Sequence, residues 1–235
     1  MSTLYLIRHG QASFGTDDYD RLSELGRVQA QRTGEYLYRS GVTLDAVYTG
    51  SLKRQKDTAS LALAAQPRQV EAIVDPRFDE IRNDEQFEHL APFLAGNDPQ
   101  LAELLSRSHN ESKPYQKVLA AVFDYWVRND CSEFGIQSWD DYRGSVRTAM
   151  AELMDNEGSG KQVALFTSGG TIATIVSQVL GMEGIATYKF YEPMFNCAIS
   201  QLVFSGGRVS LASYNDCSFL RVAGSDAGEQ LVTYR

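Results

Sequence analysis

The stretch Leu6-Ile7-Arg8-His9-Gly10 decides how this chain is read. Thr3 to Ile7 is a short apolar run of the kind that forms a buried strand, and an Arg-His pair and a glycine follow at once. A strand that ends where polar chemistry begins places those residues at the C-terminal edge of a parallel sheet, the usual position of a ligand site. Imidazole is a competent nucleophile toward phosphorus, and a guanidinium grips phosphate oxygens through a planar fork of donors. Gly10 allows the backbone to turn closely around such a ligand. Attack on a phosphate is the chemistry this stretch points to. The plain alternative is a strand cap followed by an incidental Arg-His pair.

Outward from it, strands and helices alternate. Ser23 is placed to cap a helix carrying Glu24 in its first turn, with Leu22, Leu25, Val28, Tyr36 and Leu37 as its apolar stripe and Gly41 as its stop. Asp45 to Tyr48 reads as a second strand, and Thr49-Gly50-Ser51 turns into a helix with Leu52, Ala59 and Leu63 on one face, ended by Pro67. Val70 to Val74 reads as a third strand. From about Asp84 to Asn129 the alternation stops. Phe87, Leu90, Ala91 and Leu94 recur at helical spacing, as do Tyr115, Val118, Leu119, Val122 and Trp126, with loops at Gly96 to Pro99 and Ser106 to Pro114. The segment 84–137 is expected as a helical insertion over one sheet edge, either a cap above the site or extra core covering.

Ser138 can cap a further helix (Tyr142, Val146, Ala149, Met150, Leu153), and Gln162 to Phe166 is an apolar strand. Thr167-Ser168-Gly169-Gly170 leads into a helix with an apolar face of Ile172, Ile175, Val176, Val179 and Leu180, ended by Gly181. Ile199 to Phe204 and Val209 to Tyr214 read as a hairpin turned at Ser205-Gly206-Gly207. The segment from Ala223 onward is polar and expected to be loose. The fold class is α/β: a three-layer sandwich with a mostly parallel central sheet flanked by helices, in one domain over 1–235.

With 43% hydrophobic and 22% charged residues the composition is that of an ordinary globular protein. The net charge of −8 argues against a general nucleic-acid or anionic-membrane binder. A local arginine pair can still outweigh that field in a cleft. Cys131, Cys197 and Cys217 are widely separated and show no metal-ligand spacing, and with no apolar run of bilayer length and no signal peptide ahead of the first strand, a cytoplasmic location is expected.

The chain resembles the histidine phosphatase superfamily, which includes the cofactor-dependent phosphoglycerate mutases. Arg8-His9-Gly10 matches the signature around the nucleophile. Leu22-Ser23 with Gly26, Gln29 and Ala30 matches the start of the first helix, and Ser51-Leu52-Lys53-Arg54 with Thr58-Ala59 the second phosphate-arginine segment. Phe78-Asp79-Glu80 resembles the segment with the family's acid, and Asn215-Asp216 its late strand ending. The resemblance implies His9 as nucleophile and Glu80 as general acid. It also implies Arg8, Arg54, Gly10, Gln11, Ser168 and Gly169 around a phosphate, and no metal or organic cofactor. Where the family has a second histidine this chain has Ser168, so an anion should still bind while turnover is lowered. His89 and His109 are the other histidines that could replace the missing ring. Gln11, Ser13 and Phe14 depart from the family pattern after the nucleophile, and Phe219 stands where many relatives carry His. The implied function is a phosphomonoesterase acting on a small phosphorylated substrate. A phospho-ligand binding protein on the same fold is the alternative, and a phosphoglycerate mutase comes third. Neither nucleic acid nor membrane is an expected partner, and the sequence leaves the oligomeric state, including a homodimer, open.

Overall fold

The computed structural model describes residues 1–13, 20–182 and 184–234. In chain order the elements are β1 (Ser2–Arg8), α1 (Glu24–Arg39), β2 (Ala46–Thr49), α2 (Lys53–Leu63) and β3 (Ala72–Val74). Then come α3 (Asn83–Ala95), α4 (Pro99–Ser108), α5 (Ser112–Arg128) and α6 (Trp139–Glu157). The chain continues through β4 (Gln162–Thr167), α7 (Gly169–Val179), α8 (Thr187–Tyr191), β5 (Ile199–Ser205), β6 (Arg208–Asp216) and α9 (Ser218–Ala227). The sheet order is β3-β2-β4-β1-β5-β6. β3, β2, β4 and β1 run parallel, while β5 pairs antiparallel with β1, and β6 with β5. This is the expected α/β sandwich, with an antiparallel hairpin at one edge.

Two apolar clusters separate across the sheet. One gathers Leu4, Leu6 and Leu165 with residues of α3 to α7; the other gathers Ile7, Val47 and Phe166 with α1, α2 and α9. Alternate residues of each buried strand therefore serve opposite layers, as the two-residue strand period requires. The segment 84–137 contributes Leu90, Leu101, Val118, Phe123 and Trp126 to the first cluster, so most of it is core covering.

Several local expectations hold. Ser23 Oγ accepts from Gly26 N–H and Ser138 Oγ from Asp141 N–H, capping α1 and α6. Gly206 and Gly207, both at positive φ, make the hairpin turn.

Others are corrected. The buried face of α1 is Gly26, Gln29, Ala30, Thr33, Gly34 and Leu37, with Leu25, Val28 and Tyr36 on its flanks. Small residues win that face because α1 packs backbone to backbone on α2: a Cβ on Gly34 would lie 2.1 Å from Ala62 O. α7 is buried all round from Gly169 to Ser177 rather than on one face. Thr174 Oγ donates to Gly170 O and Ser177 Oγ to Thr174 O within the helix, while Thr171 Oγ donates to Asp79 O outside it. The loop expected over 106–114 shrinks to a few residues, because α4 runs to Ser108 and Pro114 sits in the first turn of α5, where no intrahelical N–H bond is lost. The end of the chain is not loose. Residues 218–227 form α9, Leu231 is 3% exposed, and Gln29 Nε2 donates to Leu231 O and Thr233 Oγ. Phe14 and Gly15 lie outside the described residues.

Candidate active site

The parallel strands β1, β2 and β4 end in register, Arg8 beside Thr167 and Thr49 beside Phe166, so His9, Gly50 and Ser168 leave the sheet at one edge. His9 is anchored as backbone before its ring is considered. Its N–H donates to Thr167 O, and its carbonyl accepts from Cys197 N–H and Asn196 Nδ2. The ring is 3% exposed. Nδ1 lies 2.8 Å from Gly10 O, an acceptor only, so Nδ1 carries the proton. Nε2 then holds the lone pair and accepts from Arg54 Nε–H at 3.2 Å. Burial, with the nearby charges of Arg54 and Arg8, holds the imidazole well below its ordinary pKa of 6.5. A neutral ring with its outward nitrogen unprotonated is the form that can attack.

Gly10 does something other than wrap a ligand. A Cβ there would sit 2.3 Å from Gly26 O, so the glycine permits contact between the β1 end and α1. Its N–H donates to Thr58 Oγ and its carbonyl fixes His9. Gln11 is likewise tied to α1: its N–H donates to Gln29 Oε1, and its own Oε1 accepts from Ser23 Oγ.

Arg8 and Arg54 arrive from different segments. Arg54, 7% exposed, opens α2 with its Nη1 on Asp20 Oδ1 at 2.8 Å. Asp20 also accepts from Lys53 N–H, capping the helix. Arg8 Nη1 donates to the carbonyls of Met194 and Tyr234, whereas its Nε is buried with no hydrogen-bond partner among the described residues. That Nε lies 3.5 Å from the Cβ position of Gly169, beside the start of α7. A buried donor beside a helix N-terminus is an arrangement with the chemistry to take an anion.

Glu80 comes in on a loop that hydroxyls and amides hold. Thr167 Oγ donates to Phe78 O, Thr171 Oγ to Asp79 O, and Ser51 N–H and Oγ to the Asp79 carboxylate. Glu80 Oε1 accepts from Ile81 N–H and from Gly170 N–H at 2.9 Å. Burial raises its pKa, and Arg54, Arg8 and the two amides oppose that rise. Gly170 is required for the approach, since a Cβ would lie 2.4 Å from Glu80 Oε1.

Ser168 is fully buried, and its Oγ accepts from Gln55 Nε2 at 2.8 Å. His89 on α3 and His109 after α4 are exposed, so neither ring replaces a histidine here. Phe219 stacks on Tyr36 with ring centroids 4.5 Å apart. Asn215, at φ 56°, bonds Phe195 N–H and Pro193 O and so shapes the segment leading to Asn196. The sequence marked Thr58 only as the close of the second arginine segment and did not mark Asp20, Gln55 or Asn196 for the site. Asp20 and Asn196 carry no local signal, while Gln55 and Thr58 are polar residues on the buried face of α2.

The fold is an α/β sandwich that gathers Arg8, His9, Arg54 and Glu80 at one sheet edge, and comparison with known proteins places the chain in a family. Residues 4–217 match the histidine phosphatase superfamily (branch 1), and the chain belongs to that superfamily. A Candida albicans phosphoglycerate mutase is 38% identical over 71 residues, 28% of this chain and 29% of that protein. The mitochondrial serine/threonine-protein phosphatase Pgam5 of Drosophila grimshawi is 40% identical over 62 residues, 26% of this chain and 22% of its own. The chain thus matches under a third of the length of these curated relatives. Among solved structures, a Bacillus anthracis phosphoglycerate mutase superposes with TM-score 0.67 at 17% identity, covering 93% of this chain and 94% of its own. A mutant phosphoserine phosphatase of Entamoeba histolytica, in complex with phosphoserine, superposes with TM-score 0.62 at 19% identity, covering 94% of this chain and 100% of its own. These likenesses establish the shared fold.

Proposed function

We propose that the chain is a phosphomonoesterase working through a phosphohistidine on His9. The observation that carries this reading is the His9 tautomer: Nδ1–H is spent on Gly10 O, and Nε2 is left unprotonated, its lone pair held by Arg54 Nε–H. As phosphorus approaches, Arg54 Nε–H passes from Nε2 to a phosphoryl oxygen, joined by Arg8 Nε–H and the start of α7 at Gly169. The Nε2–P bond forms as the ester P–O bond breaks, and protonated Glu80 gives its proton to the leaving oxygen. Water then attacks phosphorus, Glu80 takes its proton, and the P–N bond breaks to release phosphate. Ser168 meets the same anion, while Gly10 and Gln11 serve it indirectly, Gly10 by orienting the nucleophile and Gln11 by tying that turn to α1. Relatives and neighbours named for phosphoserine and phosphoglycerate support a small phosphorylated substrate. Three buried free cysteines suit a reducing, cytoplasmic setting.

One observation favours a second reading, a phospho-ligand binding protein with little turnover: Ser168 supplies a neutral hydroxyl where the family resemblance implies a charged donor. Hydrolysis of an aryl phosphate, with acid-labile phosphate trapped on the protein, separates the two. Turnover and labelling lost in His9→Ala support the phosphatase. Tight orthophosphate binding with neither supports the binding protein.

A further inference from the structure

The Ser168 hydroxyl has one proton, and its surroundings decide where that proton goes. Gln55, also fully buried, puts Nε2 within 2.8 Å of Ser168 Oγ and 3.2 Å of Phe78 O, while its Oε1 accepts from Leu52 N–H at 3.3 Å. Flipping the amide would set its oxygen against the Phe78 carbonyl and its NH2 against Leu52 N–H, two unfavourable contacts. Backbone groups that cannot change role therefore fix the amide's direction. Ser168 must accept from Gln55, and that is the hydrogen bond its Oγ makes. Its O–H is left to point elsewhere. Arg8 Nε, a buried donor with no partner among the described residues, lies beside the neighbouring Gly169.

We propose that Gln55 is a positioning residue that holds Ser168 as a hydroxyl donor to the phosphoryl oxygens. The inference rests on the phosphoryl-binding reading above. Gly50 is part of the device, because a Cβ there would lie 2.0 Å from Gln55 Oε1. A neutral donor oriented in advance needs no reorganisation as charge builds on the phosphoryl group. An isosteric carboxylate at 55 would reverse the arrangement: it can only accept, so it would draw the Ser168 proton to itself and away from the anion.

The test is a mutant cycle of Ser168→Ala, Gln55→Glu and the double variant, read by aryl phosphate kcat and KM, by orthovanadate affinity and by thermal denaturation. Ser168→Ala and Gln55→Glu should each lower kcat/KM on the order of 10²-fold, with vanadate binding weakened alongside. In the Ser168→Ala background Gln55→Glu should cost almost nothing more, since its effect acts through the hydroxyl. An equal loss in both backgrounds would mark a bare charge effect and overturn the proposal. So would a Ser168→Ala protein with wild-type kcat/KM and vanadate affinity. Where Gln55→Glu does not fold, Gln55→Met, which removes the donor without adding charge, takes its place in the cycle with the same expected non-additivity. If wild type binds orthovanadate but neither hydrolyses nor labels, the phosphatase reading fails and the vanadate affinities still decide the Gln55–Ser168 pair. If wild type does not bind vanadate, both fall.

Discussion

His9 and Glu80 are shifted in opposite directions by the same burial, as the roles proposed for them require. Burial and two arginines depress the His9 pKa below its ordinary value of 6.5, which favours a neutral ring. Burial raises the Glu80 pKa above 4.5, which favours a carboxyl that still holds a proton to give. The same displacement of His9 has a stability consequence. An unfolded chain takes up a proton on this ring as pH falls below about 6.5, while the folded chain resists it, so stability declines with acidification in that window. Wild type should therefore lose more thermal stability between pH 7 and pH 5 than His9→Gln does; parallel melting curves would show the ring is not held neutral. Glu80 runs the other way, contributing stability at acid pH that is lost as pH rises from its ordinary 4.5 through its raised pKa, so Glu80→Gln should flatten that decline in melting curves taken across this range. Ser168→His, the substitution that would restore the family's ring, meets a fully buried site already filled by Gln55. It should gain no activity alone, and more when combined with Gln55→Ala. At this scale the sequence was legible where a residue type names its own chemistry, as with Arg8, His9 and Arg54. It was not legible at Gln55, Asp20 or Asn196, whose importance comes from partners 113, 34 and 187 positions away.

Among elements, α7 matters most, because its N-terminus meets both the acid and the unpaired guanidinium nitrogen. Its first residues are glycines for reasons of contact: Tyr191 crowds Gly169, while Glu80 and Ile81 crowd Gly170. Tyr191 in turn accepts from Asn83 Nδ2 at 2.7 Å, the place where the helical insertion reaches the site. Gly170→Ala should push Glu80 off the amide that holds it, since the new Cβ would stand 2.4 Å from Oε1. A displaced acid on an otherwise intact protein should cost kcat on the order of 10²-fold with a smaller change in KM. Steady-state kinetics checks this, and an unchanged kcat would separate Glu80 from the proton transfer. The helix starts at Ser23 and Ser138 were readable from capping residues. The buried faces of α1 and α7 were not, because close backbone packing substitutes small and hydroxyl residues for the apolar stripe that periodicity looks for.

At the scale of the molecule, the site depends on the far end of the chain. Arg8 Nη1 donates to Tyr234 O, Thr233 O accepts from Asn196 N–H, and Thr233 Oγ donates to Asn196 Oδ1. Asn196 in turn donates to His9 O, and Gln29 ties Leu231 and Thr233 to the amide of Gln11. The segment expected to be loose is thus a strap across the β1 end. Its polar composition concealed this, because the carbonyls of Leu231, Thr233 and Tyr234 take bonds that no side-chain pattern reports. Leu231 anchors it, and burying such a side chain contributes roughly 1.5–3 kcal/mol. Deleting 229–235 should lower the melting temperature and also free Arg8 to leave its binding position. Phosphate and orthovanadate should then bind about ten-fold more weakly, the equivalent of about 1.4 kcal/mol. Leu231→Ala is the control, since it loosens the anchor while leaving every carbonyl in the chain. If it loses stability but keeps more of the phosphate affinity than the deletion does, the strap acts on the anion site through its backbone. If the deletion protein binds phosphate as tightly as wild type, Arg8 is held by the sheet edge and Met194 alone, and the strap serves stability only.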